Sequence, residues 1–415
     1  MENIENKIPN GENQDTQNSS FFSENVSSSN GLEPKIRFVN FKENYRPLKI
    51  GDIYAERSER GAENMELLSV TINEGVKKRM DIDGKDTSSE DKSNYKIVHT
   101  GDMVYNSMRM WQGANGISDY DGIVSPAYTV LKSKGNIHNQ YIGFLFKNSE
   151  LINKFRKNSQ GLTSDTWNLK YPQIACIKIN IPSLDEQQKI ADFLSLVDQR
   201  IEKQRQLVES LKKYKRGLFL KLYNDSDKSI MLFKNIYKVA SEGGTPSTLD
   251  TENYKNGKLP FIKIDDLYQH YLTSAKYFIT EKGLKKSSAW LVPENSIIYS
   301  NGATIGACSI NKIPVTTKQG ILGIVPKSNF SVEFLYFFFT SSLFKEKIRA
   351  ITTKGTMDCA YLKDINDIKI SIPDFTVQQK ISKIMVDFEN LIEYTEFSLM
   401  HLHNIKKGLL QQMFI

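Results

Sequence analysis

The sequence has few cysteines and no long apolar run. Its three cysteines, Cys176, Cys308 and Cys359, are far apart and odd in number, so they predict neither a disulfide framework nor a cysteine metal site. No apolar run approaches the length of a membrane-spanning helix, and the N-terminus has no signal-like apolar segment. These absences favour a reducing compartment, and we expect a cytoplasmic protein.

The sequence also lacks the common catalytic signatures. It has no GxxxxGK[S/T] phosphate loop, no GxGxxG, no HExxH and no Asp/Asn-Pro-Pro-aromatic tetrapeptide of amide methyltransferases. The glycine-rich segments 113–116 and 302–306 follow strands but open no helix, which is typical of tight turns. His401 and His403 are two residues apart on a helix and point to different faces. We therefore expect a binding protein without catalytic residues, a metal site or a cofactor of its own.

Length and composition suit a protein of several folded domains. The chain has 415 residues, of which 39% are hydrophobic and 11% aromatic, enough for two or three cores. A net charge of +7 is compatible with nucleic acid but is not specific to it. Residues 1–32 are rich in Asn, Ser, Glu and Gln, and this composition predicts a disordered tail.

The strongest pattern in the sequence is a repeat of 43 residues. Residues 181–223 (IPSLDEQQKIADFLSLVDQRIEKQRQLVESLKKYKRGLFLKLY) return as residues 372–414 (IPDFTVQQKISKIMVDFENLIEYTEFSLMHLHNIKKGLLQQMF), shifted by 191 residues without a gap, with 12 identical positions. Both copies keep an Ile-Pro lead, a QQKI segment and a late glycine, Gly217 or Gly408. Because each copy ends one half of the chain, the repeat predicts a variable domain followed by a helix, twice.

Both copies have heptad spacing. Apolar residues recur at alternate steps of four and three, which is typical of a coiled-coil seam. The predicted seam positions are Ile190, Leu194, Val197, Ile201, Gln204, Val208, Leu211 and Leu218 in the first helix and Ile381, Met385, Phe388, Ile392, Thr395, Leu399, Leu402 and Leu409 in the second. Lys215 and Lys406 fall in the same two rows. An amphipathic helix packed on its own domain would need no matching second copy.

The charge distribution predicts that the two helices are antiparallel. One flank of the seam is charged in both copies and the other is mostly apolar, so like flanks meet only in an antiparallel pair. Exposed ion pairs are weak, so they select the orientation more than they stabilise it. In the predicted register the pairs are Arg205–Glu396, Lys212–Glu389 and Asp198–His403.

The repeat divides the chain into five segments. They are a tail (1–32), a first domain (33–180), a central helix (181–223), a second domain (224–371) and a C-terminal helix (372–415). The second domain is a diverged repeat of the first, since residues 291–299 (LVPENSIIY) parallel residues 97–105 (IVHTGDMVY). The predicted fold class is α+β, with two similar domains separated by two long antiparallel coiled-coil helices.

Turn signals separate short strand-like runs in the first domain. The predicted strands are 67–72, 95–99, 103–106, 128–131 and 174–179. Each domain also has one predicted helix before its last strand, residues 139–157 in the first and 334–350 in the second. At the long helices, Ser183 with Glu186 predicts a capping box, and Asp374 predicts an N-cap without one.

Polar and basic residues cluster in loops of both domains. Arg, Lys, Gln and Asn side chains read base edges, whereas Lys, Ser and Thr hold phosphates. For any one residue a solvated loop position is the simpler interpretation, but the set on two related domains favours binding to double-stranded DNA. The candidates are Lys77, Lys78, Arg79, Arg109, Trp111, Gln112 and Asn115 in the first domain and Thr245, Ser247, Lys285, Lys286, Thr317, Lys318 and Gln319 in the second.

Two alternatives stay open at this stage. The chain can be a non-catalytic adaptor whose function is the coiled coil and whose domains bind protein rather than DNA. The duplication can also have left both domains with the same function, although diverged loops on a repeated scaffold are what two recognition surfaces require. A steep loss of DNA affinity with salt separates DNA binding from the adaptor hypothesis.

The repeated Ile-Pro lead, the QQKI helix and the duplicated domain resemble the DNA specificity (S) subunit of type I restriction-modification systems. The resemblance covers about residues 34–415. It includes PKIRFVNF, LKIGDIY, GDMVYN, DGIVSPAY, SEGGTPS and VTTKQGI, which are similar to stretches of that family's target recognition domains. The two helix copies are the specific part of the match, and the N-terminal tail has no counterpart.

The resemblance implies a function and partners. Each domain would be a target recognition domain that reads one half of a split DNA site. The helices would set the separation and bind two methyltransferase (M) subunits, and the complex would recruit restriction/translocase (R) subunits. S-adenosylmethionine, ATP and Mg²⁺ would belong to those partners, so this chain needs no cofactor. The seam from Ile190 to Leu218 is roughly 42 Å long, of the order of the ~34–36 Å between half-sites one DNA turn apart.

Overall fold

The computed structural model of the chain describes residues 33–61, 64–86, 88–302, 304–353 and 358–415, together with the backbone of Phe22–Glu24. The predicted tail therefore lies outside the described residues, apart from this short strand, which the polar composition did not indicate. The chain divides into two compact units, Met1–Lys203 with Leu399–Ile415, and Gln204–Ser398. Each unit contains one predicted domain and part of both long helices.

The first unit is built from short antiparallel strands and short helices. Four strands form its central sheet in the order β4-β11-β8-β9, and the others pair as β1-β2, β3-β12, β5-β6 and β7-β10. The strands are β1 (Phe22–Glu24), β2 (Ile36–Phe38), β3 (Arg46–Lys49), β4 (Tyr54–Arg57), β5 (Leu68–Thr71), β6 (Gly75–Lys78), β7 (Lys96–Val98), β8 (Met103–Asn106), β9 (Asn115–Ile117), β10 (Gly122–Val124), β11 (Tyr128–Ser133) and β12 (Lys178–Ile181). The helices are α1 (Ile50–Ile53), α2 (Asn139–Leu145), α3 (Ser149–Asn158) and α4 (Tyr171–Ala175), with 3-10 turns at Arg79–Asp81 and Met110–Gln112.

The second unit has a larger sheet. Five strands run in the order β14-β21-β18-β19-β16, three as β17-β15-β20, and β13 pairs with β22. The strands are β13 (Lys228–Leu232), β14 (Tyr237–Glu242), β15 (Leu259–Ile262), β16 (Tyr271–Leu272), β17 (Phe278–Ile279), β18 (Ile297–Ser300), β19 (Cys308–Asn311), β20 (Thr316–Thr317), β21 (Ile321–Pro326) and β22 (Lys369–Pro373). The helices are α6 (Glu281–Lys285), α7 (Val332–Thr340), α8 (Ser342–Ile351) and α9 (Leu362–Asn366). Two long helices, α5 (Leu184–Asn224) and α10 (Phe375–Gln412), complete the chain.

The central sheets of the two domains have the same strand order. The order β4-β11-β8-β9 in the first corresponds to β14-β21-β18-β19 in the second. Tyr105 on β8 and Tyr299 on β18 occupy the same place, and both are fully buried. Burial raises the pKa of both phenols above their ordinary value. The predicted α+β class and the predicted correspondence of residues 97–105 with 291–299 are confirmed.

Each predicted domain helix is in fact a pair of helices, so the prediction of one continuous helix is wrong. In the first domain α2 ends at Leu145, and the Asn148 side chain accepts hydrogen bonds from the backbone N–H groups of Glu150 and Leu151 to start α3. In the second, the break falls at Ser341, between α7 and α8. Apolar periodicity continues through both breaks, so it did not reveal them. The predicted strand 174–179 is likewise the end of α4 followed by β12.

Both long helices contribute to the apolar core of each unit. In the first unit, Leu194 of α5 and Phe414 at the chain end pack with Tyr141 of α2, and the Tyr141 and Phe414 ring centroids are 5.3 Å apart. In the second unit, Phe219 and Tyr223 of α5 lie against the aromatic helix α7. The predicted helices 181–223 and 372–415 thus form, and each is integrated with both domains.

Within each unit the two long helices are antiparallel, as predicted. In the second unit, the Gln204 side chain donates to the Thr395 carbonyl at 3.1 Å, and Lys215 pairs with Glu389. A residue further along α5 therefore has its partner earlier in α10, as antiparallel helices require. All predicted seam residues on both helices are buried or half-buried. Among the described residues, no helix is long and apolar enough to cross a membrane.

Two ion pairs beside the seam differ from those predicted. Lys212 pairs with Glu396 at 2.8 Å rather than with Glu389, and Asp198 pairs with Lys406 at 2.5 Å rather than with His403. Glu389 pairs with Lys215 instead. Lys215 and Lys406 sit in the seam rows, and their long stems reach outward to the acids of the facing helix.

The two identical lysines of the repeat make the same contacts in both units. The Nζ of Lys215 lies 5.5 Å from the centre of the Phe337 ring, and that of Lys406 lies 5.7 Å from the Phe144 ring. Lys215 pairs with Glu389 and Lys406 with Asp198, and these two acids are themselves 191 residues apart. The identical lysine therefore makes an equivalent contact between the long helices and the domain in each unit.

The identical glutamines Gln187 and Gln378 fasten each helix start to its domain. The Gln187 amide donates to the Pro182 carbonyl and accepts from the His138 N–H, both at 2.9 Å. Gln378 donates to Pro373 and accepts from the N–H of Ser331, again at 2.9 Å. His138 and Ser331 are the N-cap residues of α2 and α7, so one side chain joins two helix starts in each unit.

Glu186 does not serve the predicted capping box. Its fully buried carboxylate accepts two hydrogen bonds from the Arg37 guanidinium, at 2.9 and 2.7 Å, and one from the Tyr45 hydroxyl at 3.3 Å. The buried cation outcompetes a local backbone N–H for the charge. In the second helix the predicted N-cap is confirmed, because Asp374 accepts from the Val377 N–H at 3.0 Å.

Candidate nucleic-acid interface

A polar cleft of about 310 Å³ opens beside the central sheet of the first domain. Its walls come from β5, from the ends of β8 and β11, and from the loops that follow β6 and β8. The cleft brings together Arg79 and Arg109, two predicted site residues that are distant in sequence. It also adds polar residues that the sequence did not single out: Ser69, Asp86, Ser88, Tyr95, Asn106, Ser125 and Tyr128.

Arg109 is the exposed cation of this cleft. It follows β8, where the Asn106 carbonyl accepts from the Arg109 N–H at 3.0 Å and the Asn106 side chain accepts from the Met108 N–H at 3.0 Å. These bonds fix the turn, while the Arg109 guanidinium has no hydrogen-bond or ion-pair partner in the part of the chain that the structure describes. An exposed guanidinium on a fixed turn can bind a phosphate or a guanine edge.

Arg79 has a different position from the one expected of a DNA contact. Its guanidinium donates to the carbonyls of Ile82, Gly84 and Lys85 at 2.9, 3.0 and 2.9 Å, and it lies 3.7 Å from Asp86. These bonds use most of its donors. Arg79 therefore shapes the loop that forms one wall of the cleft.

The other exposed candidates of the first domain lie around the cleft. Lys77 and Lys78 on β6 are partly exposed and pair with Glu74 at 3.7 Å and Glu66 at 3.6 Å. Trp111 donates its indole N–H to the Met108 carbonyl at 3.1 Å and packs edge-on against Trp167, with ring centroids 5.2 Å apart. Trp111 and Gln112 are half-buried, so they support the Arg109 turn and leave some surface for a ligand.

Asn115 does not belong to the surface. Its side chain is fully buried and its amide donates to the carbonyls of Gly113 and Phe146 at 3.2 and 3.3 Å. A side chain without exposed surface cannot contact DNA in this conformation, so Asn115 is a core residue. Thr317 in the second domain is buried in the same way and donates to the Ile321 carbonyl at 3.1 Å.

Two glycines build the second candidate surface. Gly243 and Gly244 donate their N–H groups to the carbonyls of Ile321 and Thr317, both at 3.0 Å. A Cβ on Gly243 would overlap the Thr317 carbonyl, and one on Gly244 would overlap the Ser288 hydroxyl, so only glycine permits this close approach. The following residues, Thr245 and Ser247, are exposed.

Close packing brings the remaining second-domain candidates next to this loop. Lys318 and Gln319 are exposed in the turn after Thr317, which the Glu242 carboxylate fixes by accepting from the Gly320 N–H at 2.7 Å. The Lys286 Nζ lies 3.3 Å from the Asp250 carboxylate, and Asp250 belongs to the segment that follows Ser247. Lys285 is exposed at the end of α6. The exposed second surface thus comprises Thr245, Ser247, Lys285, Lys286, Lys318 and Gln319.

Both surfaces offer hydrogen-bond donors and positive charge without a catalytic cluster. Among the described residues, no group of three or more His, Cys, Asp or Glu side chains could hold a metal ion. Of the polar residues missed in the first cleft, Tyr95, Asn106, Ser125 and Tyr128 lie at or next to strand ends, and that position was the signal in the sequence that could have indicated them. The chemistry available is binding, by exposed Arg and Lys side chains beside Ser, Thr and Gln.

Comparison with known proteins gives consistent matches for both halves. The family described as "Type I restriction modification DNA specificity domain" matches residues 49–213 and 227–400. The type I restriction enzyme MjaIX specificity subunit of Methanocaldococcus jannaschii is 34% identical over 170 residues, which are 40% of this chain and only 39% of that subunit. The putative type I restriction enzyme MjaX specificity subunit of the same organism is 24% identical over 339 residues, 74% of this chain and 76% of that one.

A solved structure supports the fold. One chain of a type I R-M system, from a structural study of its complex assembly and conformational transition, superimposes with a TM-score of 0.59 at 15% identity, covering 88% of this chain and 96% of that one. At this identity the likeness concerns the fold alone. With both halves matched, and with one sheet repeated in the two domains, the chain belongs to the family of type I restriction-modification DNA specificity domains.

Proposed function

We propose that this chain is the DNA-recognition subunit of a type I restriction-modification complex and that each globular domain reads one half of a bipartite site. The observation that carries the proposal is one strand order repeated in two domains with different exposed side chains beside it. A shared scaffold with different loops allows two base sequences to be read by the same geometry. The chain would act in the cytoplasm, where its DNA substrate is accessible.

In the first domain, Arg109 is the proposed base-reading residue. Its guanidinium is exposed on a fixed turn and matches the two acceptors of guanine in the major groove. Lys77 and Lys78, whose ion pairs are long and partly exposed, would contact phosphates. Arg79 would contribute by holding the wall of the cleft in place.

In the second domain, the exposed turn Lys318–Gln319 and the loop after Gly244 form the proposed reading surface. Gln319 can pair with adenine, and Thr245 and Ser247 can contact either bases or phosphates. Lys285 and Lys286 on and after α6 add positive charge for the backbone. The different residue set predicts a half-site different from that of the first domain.

The long helices are the proposed spacer and docking surface for M subunits. On the second unit's parts of α5 and α10, large apolar side chains remain exposed, although seam residues beside them are buried. Such a concentration of exposed apolar groups marks a protein-binding face. We propose that two M subunits dock on the helices, that R subunits join the complex, and that methylation and cleavage reside on these partners. The exposed side chains are Leu207, Tyr214, Ile384, Leu391, Tyr394 and Phe397.

The two repeated glycines support the same docking proposal. Glycine in a helix costs about 1 kcal/mol relative to alanine, yet α5 contains Gly217 and α10 contains Gly408, seven and four residues before their last residues. A Cβ at either position would meet no described atom of this chain within 4 Å. The described part of the chain therefore does not require glycine at these positions, and we propose that a partner helix approaches closely there.

Salt dependence of DNA binding tests the proposal against the adaptor hypothesis. The full chain, with its M subunits, is titrated with a fluorescent DNA duplex at salt concentrations from about 50 to 200 mM. Binding through phosphates predicts that affinity falls at least about tenfold over this range. An adaptor that binds protein would show no such binding, or binding indifferent to salt, and either result contradicts DNA recognition.

A further inference from the structure

The second helix of each helix pair has the same construction in both domains. α3 and α8 follow the helix breaks at Asn148 and Ser341, and each buries two apolar side chains one turn apart. The buried pairs are Leu151 with Phe155 and Phe344 with Ile348, which are equivalent at a shift of 193 residues. The opposite face of each helix is exposed.

Few residues are identical between the two helix pairs, and two of those are exposed cations. At the shift of 193 residues, positions 139–158 and 332–351 share five identities. Two are buried phenylalanines and one is a serine in the first turn of α3 and α8, positions with packing or capping reasons for identity. The other two, Lys154 with Lys347 and Arg156 with Arg349, are exposed and do not contribute to the core.

The paired arginines stand beside the loop that follows the central β8 or β18 strand. A Cβ on Gly113 would lie 3.1 Å from the Ile152 side chain, so Ile152 contacts the loop that carries Arg109. Arg156 lies one turn later on the same face of α3. In the second domain, Arg349 lines a cleft of about 240 Å³ with Ile305 and Gly306 of the loop after β18. Gly302 of the same loop packs against Gly320, which ends the Lys318–Gln319 turn.

No side-chain hydrogen bond or ion pair of Arg156 or Arg349 exists among the described residues. Asp358 also lines the Arg349 cleft together with Lys345, so the two cations outnumber the one acid among its lining residues. Lys154 donates to the Lys178 carbonyl at 3.4 Å, which leaves Arg156 as the freer cation of α3.

We infer that Arg156 and Arg349 are equivalent phosphate anchors that hold the DNA backbone beside the loops that follow β8 and β18, the first of which carries Arg109 and the second of which contacts the Lys318–Gln319 turn. The inference rests on the proposed function and adds to it the residues that position DNA without reading its sequence. A planar guanidinium binds a phosphate through two parallel hydrogen bonds, and its place next to the reading loop sets the register of the duplex. Identical anchors with different loops would let two half-sites be held in the same way and read differently.

Charge-removing variants test the anchors directly. The variants Arg156→Gln and Arg349→Gln keep a helix-compatible side chain, and Arg46→Gln, at an exposed arginine of β3, is the matched control. The full chain with its M subunits is titrated with a duplex carrying its modification site and with a scrambled duplex, over a range of salt. Each anchor variant should lose affinity about five- to tenfold on both duplexes alike and lower the slope against log salt by about 0.9, while Arg46→Gln binds like the wild type.

The outcomes separate the anchors from the function on which they rest. Wild-type binding that is insensitive to salt removes the proposed function and the anchors together. Salt-dependent wild-type binding with unchanged affinity of both variants removes only the anchors. A variant that loses affinity for the cognate duplex alone reads bases instead. A variant that binds DNA normally but no longer assembles with M subunits shows that an acidic protein surface is the occupant.

Discussion

At the scale of single residues, His270 is a buried imidazole held neutral. The rings of Tyr271 and Tyr336 stack on it with centroids 4.0 and 4.1 Å away, and its Nε2 has no hydrogen-bond partner among the described residues. Burial first, and then the charges of Lys215 and Lys312, lower its pKa to about 4. Protonation of His270 therefore opposes folding of the second unit.

This pKa predicts an acid-sensitive second unit. The pKa of His270 in the folded state lies below the ordinary value of 6.5. The contribution of the neutral imidazole to stability is therefore complete above pH 6.5 and is lost as the pH falls toward 4. We expect the free energy of unfolding to drop by roughly 2–3 kcal/mol across this window. The His270→Phe variant keeps the aromatic stack and should flatten that part of the pH dependence.

Denaturant unfolding followed by Trp290 fluorescence measures this effect. Trp290 is the only tryptophan of Gln204–Ser398, and replacing Trp111 and Trp167 by Phe makes it the sole reporter. The same pH dependence in His270→Phe as in the parent would show that other groups cause it.

Burial decides which polar residues of the predicted site could be foreseen. Arg109 and Lys318 are exposed as their charge suggested, because burying an unpaired charge is costly. The Asn115 amide and the Thr317 hydroxyl are buried and donate to carbonyls of the chain, of which only that of Phe146 comes from a distant segment. Their burial follows from the pairing of β9 with β8 and of β20 with β15, which residue type and spacing could not reveal.

At the scale of elements, the long helices were predictable and their contacts only partly so. The predicted segments 181–223 and 372–415 agree closely with Leu184–Asn224 and Phe375–Gln412, because heptad spacing is a strong signal. The ion-pair partners were misplaced because long lysine stems reach beyond the opposing position. The breaks before α3 and α8 were missed because apolar spacing continues through both of them.

Gly217 gives an element-scale prediction in which stability and assembly change in opposite directions. Gly217→Ala should raise the free energy of unfolding by up to about 1 kcal/mol, since alanine favours the helix and its Cβ meets no described atom. If a partner helix approaches there, the same variant should assemble less well with M subunits. Asn153→Ala, at an exposed position of α3 outside the long helices, is the control and should leave assembly unchanged.

Chemical denaturation and size-exclusion chromatography of the mixed subunits measure the two effects. Normal assembly of Gly217→Ala, and then of the larger Gly217→Leu, would contradict the proposed close approach at this glycine.

Neighbouring residues of α5 separate the seam from the docking face. Val208 is 4% exposed and Leu207 is 47% exposed. Val208→Asp places a charge in the buried seam and should destabilise the chain by roughly 2–4 kcal/mol, whereas Leu207→Asp should change stability by less than about 0.5 kcal/mol. Leu207→Asp should instead weaken binding of M subunits.

The circular dichroism signal of the helices in guanidinium titrations measures the stability, and co-purification with M subunits measures their binding. Equal destabilisation by both substitutions would contradict the seam assignment, and full M binding by Leu207→Asp would remove Leu207 from the docking face.

At the scale of the whole molecule, the repeat predicted two equivalent domains but not the composition of the compact units. The end of α10 belongs to the first unit, where Leu410, Met413 and Phe414 enter the core beside residues of the first domain. These residues follow the last predicted seam position, Leu409, and nothing in their spacing indicates which domain they join. The two compact units therefore do not coincide with the two halves of the sequence, although the duplicated sheet follows the repeat.

The central claim is that each domain reads its own half of one DNA site. Mapping modified bases in DNA from cells that carry the complete system tests it, with the wild-type chain, the Arg109→Ala variant and the Lys318→Ala variant in turn. We expect a bipartite motif that depends on this chain. Arg109→Ala should relax or lose one half of the motif only, and Lys318→Ala should affect only the other half. A continuous motif, a motif that persists without this chain, or loss of both halves with either variant would contradict the account.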